Sequence, residues 1–103
     1  MKRNNECIRD ILSYIEDKSS YTIDSNGILV EHITISHSSI INSDELKMYD
    51  KKDIMYSIEL LFNYGCIRLL ENPTYDKNKM LANTKIIGLT WKGHDLADEL
   101  RNI

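Results

Sequence analysis

An α+β domain is the fold class this sequence predicts, and three observations carry it. Apolar residues recur at helical spacing in the first twenty residues, again between 51 and 64, and again after Thr90. β-Branched side chains crowd residues 21–41, and two short apolar runs return at 66–70 and 86–89. Turn residues punctuate the chain between these stretches, chiefly Asn26-Gly27, Gly65 and Asn72-Pro73.

Cys7, Ile8, Ile11, Leu12 and Ile15 fall on one helical face, with Arg9, Asp10, Ser13 and Glu16 on the other, so the first helix spans about 4–18 and stops near Ser19-Ser20. Residues 21–41 read as extended, either a hairpin from Tyr21 to Ile35 around Asn26-Gly27 or one strand preceded by a turn. Ser43-Asp44-Glu45 resembles a helix start. One long helix from there to Gly65 would bury Asp50 or Lys51 on the stripe of Ile54, Ile58 and Leu61. Two helices are therefore predicted, about 43–48 and 51–64, with Asp50 capping the second and Gly65 ending it. Cys66–Leu70 and Ile86–Leu89 are strands joined by the polar segment Glu71–Thr84, a hairpin with a long, mobile tip. Thr90 caps a last helix whose Leu96, Ala97, Leu100 and Ile103 share a face. Gly93 weakens its first turn by about 1 kcal/mol relative to alanine, which a close backbone contact would explain.

The 103 residues fit one domain, 1–103, with one modest core and no large buried cleft. Charged residues are 28% and hydrophobic residues 42%, which excludes wholesale disorder. Thirteen basic against 16 acidic side chains, a net charge of −3, argue against a histone-like or ribosomal protein. No apolar run approaches the roughly 18 residues of a membrane span, and the start Met1-Lys2-Arg3-Asn4-Asn5-Glu6 lacks a signal-peptide core, so a cytosolic protein is expected. Cys7 and Cys66 are too few and too far apart for a disulfide framework or a thiolate zinc site, and read as small buried hydrophobes.

Helix, strand, helix, helix, strand, strand, helix is the order of a winged helix-turn-helix: a three-helix core, a β-hairpin wing and an added C-terminal helix. Residues 54–67, where Leu60-Leu61 lead through Gly65 to Ile67, look like the recognition-helix segment of winged-helix regulators. Leu89-Thr90-Trp91-Lys92-Gly93 looks like the step from wing to last helix. With Met1-Lys2-Arg3 and Ile8–Leu12, the whole chain resembles a bacterial and prophage family of about a hundred residues known as a domain of unknown function. Its members more usually carry Tyr-His at Tyr56-Ser57 and Gly-Leu-Ile at Gly65-Cys66-Ile67, and 21–42 is longer in this chain. The resemblance implies winged-helix architecture and brings no activity or site residues with it, so function has to be argued from the site.

For catalysis the inventory is thin. His32, His37 and His94 form no HExxH motif, although His32 and His37 are near enough for a metal pair to be geometrically possible; a local hydrogen bond suits His94 better. No nucleophile elbow, phosphate loop or dinucleotide fingerprint occurs, and Asp95, Asp98 and Glu99 read as a solvated face. The expectation is a protein that is not an enzyme, with no metal, cofactor or small-molecule substrate.

For nucleic acid the sorting of charge matters more than its total. Residues 51–92 hold 7 basic and 4 acidic groups, a local +3, while both flanking stretches are acidic. The predicted site is Lys51, Lys52, Tyr56, Ser57 and Asn63 on the second helix with Lys77, Lys79 and Lys85 in the wing, contacting double-stranded DNA as a possible homodimer. A transcriptional regulator of prophage type follows. The alternative is a non-catalytic protein-interaction module that binds a host or self partner and no DNA. Tyr14, Tyr21, Tyr49, Tyr64, Trp91 and the isoleucine-rich 28–41 stretch could supply its apolar surface, although core packing and strand edges are the favoured reading of Trp91 and the isoleucines.

Overall fold

In the computed structural model, residues 1–79, 81–82 and 84–102 are described. Helix α1 (Asn5–Lys18) starts where the Asn4 side chain accepts from the Cys7 amide, and buries Cys7, Ile8, Ile11, Leu12 and Ile15. That face is the centre of the core, and α3 (Lys51–Asn63) and α4 (Trp91–Arg101) pack on it with Ile54, Ile58, Leu61, Ala97 and Leu100. Ile103, expected on the α4 face, lies outside the described residues.

The hairpin alternative holds, but ends at Ile33 and not Ile35: β1 (Ser20–Ile23) pairs with β2 (Leu29–Ile33) around a turn in which the Asp24 carboxylate accepts from the Asn26 and Ile28 amides. It is a two-stranded sheet of its own. Ile35 belongs elsewhere: β3 (Ile35–Ser36) pairs with β7 (Lys85–Leu89), and β7 pairs with β4 (Ile67–Leu69), giving an antiparallel sheet in the order β3-β7-β4. Beyond this sheet the polar connection forms a second short ladder, β5 (Thr74–Tyr75) with β6 (Leu81–Ala82).

Two expectations between 36 and 48 need correction. Residues 37–41 are helical, not extended: α2 (His37–Ile41) begins at Ser36, whose hydroxyl accepts from the Ser39 amide, and buries Ile40. The cap and the burial outweigh the strand preference of Ile40-Ile41. The helix expected at 43–48 is one 3-10 turn at Asp44–Leu46, with Leu46 as its core anchor. The break before α3 is where it was expected, and the Asp50 carboxylate caps that helix by accepting from the Lys52 amide.

The end of α3 sets up everything after it. Gly65 adopts φ 81°, a left-handed conformation that costs glycine little. The Cys66 amide then reaches the Leu61 carbonyl and the Gly65 amide reaches that of Phe62, the paired bonds of a Schellman cap. The Thr90 hydroxyl donates to the Gly65 carbonyl at 2.5 Å and accepts from the Gly93 amide, so one side chain joins the end of α3 to the start of α4. The close approach expected at Gly93 is real, since a Cβ there would lie 2.2 Å from the Cys66 carbonyl oxygen.

Core packing fails as a reading of Trp91, which is 85% exposed, whereas the 28–41 stretch divides: Ile35 and Ile40 are buried in the core, and Ile28, Val30 and Ile33 are exposed on the hairpin. Trp91 is the first residue of α4, where its side chain projects past the core rather than into it. The hairpin isoleucines have no third layer to pack against. No helix among the described residues is long and apolar enough to cross a membrane.

Candidate nucleic-acid interface

Helix α3 is anchored on one side by Ile54, Ser57, Ile58 and Leu61. Helical spacing places Lys52, Tyr56, Glu59 and Asn63 along the opposite side. Lys52 and Asn63 are exposed there, and Tyr56 and Glu59 are half-buried. Lys51 is exposed at the start of the helix, where its ammonium donates to Asn42 Oδ1 at 3.1 Å and ties α3 to the chain leaving α2. Asn63 also edges an apolar groove formed with Arg3, Ile8, Leu60, Tyr64 and Leu96.

Ser57 does not join this surface. It is 1% exposed, on the core side of α3, and its hydroxyl has no oxygen or nitrogen partner among the described residues. It sits beside the Cys7 thiol, a weak partner, at the contact with α1. Ser57 follows Tyr56 directly, and one step along a helix turns a side chain by more than a quarter circle, which carries it to the core side.

Lys77 and Lys79 are exposed at the tip of the β5–β6 ladder. Asp76 organises that turn by accepting from the Asn78 amide on its carboxylate and from the Lys79 amide on its carbonyl, and Lys79 takes a positive φ of 64°. Lys85 is exposed at the base of the sheet, paired with Ser36. The predicted cations therefore divide into Lys51 and Lys52 on the helix, Lys77 and Lys79 on the sheet extension and Lys85 on β7, and β4 follows α3 directly through the Gly65 cap.

One connection between them went unread in the sequence. His37 Nδ1 and Thr84 Oγ1 are hydrogen-bonded at 2.8 Å, joining the start of α2 to the strand that carries Lys85. No local pattern marks it, because the two residues lie 47 positions apart.

The remaining histidines are engaged in other ways. His32 packs edge-on to Tyr21 in the hairpin. The His94 ring does not make the expected local bond but reaches α1, where its Nδ1 is 2.6 Å from Glu16 Oε2, and Arg101 also donates to Glu16. Burial pushes the Glu16 carboxyl up, but the bonds from Arg101 and His94 prevail and hold it below its ordinary value. Tyr49 donates to Asp10 Oδ2 at 2.6 Å, and burial together with that carboxylate pushes the phenol up. Burial likewise raises both thiols, Cys7 and Cys66, which are free and inside the core. Among the described residues no three His, Cys, Asp or Glu side chains cluster as metal ligands.

Residues 2–103 match the family described as hypothetical protein (DUF2513). The chain belongs to the DUF2513 family. This DUF2513 chain is also 28% identical over 102 residues to an uncharacterized protein of Haemophilus influenzae, covering 99% of the chain and 70% of that relative. No solved structure matches it. Neither the family description nor the relative's name assigns an activity, so the functional reading of this DUF2513 protein rests on its surface chemistry.

Proposed function

We propose that the protein is a winged helix-turn-helix that binds duplex DNA, with α3 as its recognition helix and the β4–β7 sheet with its β5–β6 extension as the wing. The observation that carries this reading is the outward stripe of α3. Lys52, Tyr56 and Asn63 share it, Lys51 flanks it, and the sheet that follows directly presents Lys77, Lys79 and Lys85. Lysines and asparagine suit phosphates, and asparagine and tyrosine also suit base edges in the major groove. Helix α2 and the turn before α3 correspond to the first half of a helix-turn-helix, and the order β3-β7-β4 places a third strand beside the wing. A prophage-type regulator is the role this surface fits.

Titration of the protein against mixed-sequence duplex DNA at about 50 mM salt tests the reading, because low salt favours phosphate contacts. Binding that Lys51→Glu with Lys52→Glu weakens about tenfold or more supports it. No binding, or binding indifferent to those charges, overturns it. The protein-interaction reading would then stand, supported by the exposed apolar side chains of the β1–β2 hairpin.

A further inference from the structure

The β1–β2 hairpin is an apolar arm attached to a body that does not cover it. Every residue from Ser20 to Ile33 is exposed except the half-buried His32. Tyr21 is 61%, Ile28 62% and Val30 63% exposed, and Ile23, Leu29 and Ile33 are not far behind. The arm stands off the sheet beside it. Its inner side chains Tyr21, Ile23 and Leu29 face Arg68, Leu89 and His94 across an open cleft of about 550 Å³.

An isolated two-stranded hairpin is marginal in water and gains stability when a third layer or further strands cover it. The whole chain's surface exceeds that of a compact monomer, and the uncovered arm contributes to the excess. A compact monomer of 12.0 kDa exposes roughly 6,000 Å², whereas this chain exposes 6900 Å². The difference, about 900 Å², is close to the roughly 800 Å² that each partner contributes to a standard protein interface. The radius of gyration agrees in direction, 14.0 Å against about 13 Å for a compact chain of this length.

The arm's chemistry selects the occupant. From Ser20 to Ile33 there is no Lys, Arg or Pro, the residues that ordinarily blunt a free strand edge. The charged residues are Asp24 and Glu31, so a polyanion such as DNA is repelled. A symmetric copy can pair an antiparallel edge with its own equivalent and bury the same apolar side chains on both sides. We infer that the β1–β2 hairpin is a dimerisation arm, and that its occupant is the corresponding hairpin of a second copy of this chain. This proposal does not depend on DNA binding, because the arm shares no residue with the α3 surface.

Sedimentation equilibrium of the full chain between about 1 and 100 μM tests it, the range in which modest interfaces dissociate. The expected result is a dimer whose dissociation constant rises about a hundredfold in Ile28→Lys with Val30→Lys, since both charges enter the apolar contact. Amide exchange on the wild-type chain gives a second readout that needs no variant: protection of residues 29–33 should rise with protein concentration. A monomer at 100 μM, a dimer indifferent to both lysines, or protection independent of concentration overturns the proposal. A monomer that still binds DNA would reject the arm and keep the DNA reading; a dimer that binds none would do the reverse.

Discussion

At Gly93 the obstacle to a side chain is the backbone of Cys66, which cannot swing aside as a flexible side chain would. Gly93→Ala therefore gains about 1 kcal/mol of helix propensity and loses more to overpacking, about 3 kcal/mol. Urea unfolding should show a net loss of about 2 kcal/mol, although alanine is the better helix former. The close contact was legible in the sequence because glycine was out of place in a first helical turn. Glu16 was not legible, because its partners His94 and Arg101 lie at the far end of the chain. Its carboxyl is held below the ordinary value, so its contribution is present above the unfolded pKa and lost as pH falls through the depressed one. Glu16→Gln should accordingly lower the melting temperature at neutral pH. The gap to wild type should begin to narrow near the unfolded carboxyl range, about pH 4, and close as pH falls through the depressed value.

The legible elements were those whose local signals agree with their burial. Helix α1 and helix α3 each pair an apolar period with a residue that caps or stops the helix, and each buries the predicted face. Helix α3 makes this measurable: Asp50→Ala removes the one side chain that satisfies the Lys52 amide and should cost about 1 kcal/mol in chemical denaturation. Helix α2 was misread because its five residues offer no period, and Ile40-Ile41 point toward a strand until Ser36 is recognised as a cap. The hairpin shows a different failure. Its turn and strands were available in Asn26-Gly27 and the β-branched run, but its exposure was not. Periodicity reveals which residues are apolar, and only the packing of other elements decides whether they are covered.

Across the whole molecule the charges sort as the surfaces do. The segment that includes α3 and the wing holds 7 basic groups against 4 acidic ones within a chain of net charge −3. On the proposed reading, DNA affinity would come from these few lysines rather than from a general excess of positive charge. The candidate site is read from the sequence as a list of cations and polar side chains, and the burial of Ser57 removes one residue from it. The β1–β2 arm and the α3 face use separate residues, which lets assembly and DNA contact be altered independently. The central claim is most directly tested by the salt dependence of duplex binding, comparing wild type with Lys52→Ala. About four phosphate contacts predict a log–log slope near −3.6, which the substitution should reduce by about 0.9. A slope near zero, or one that Lys52→Ala leaves unchanged, would contradict the α3 surface as the DNA interface.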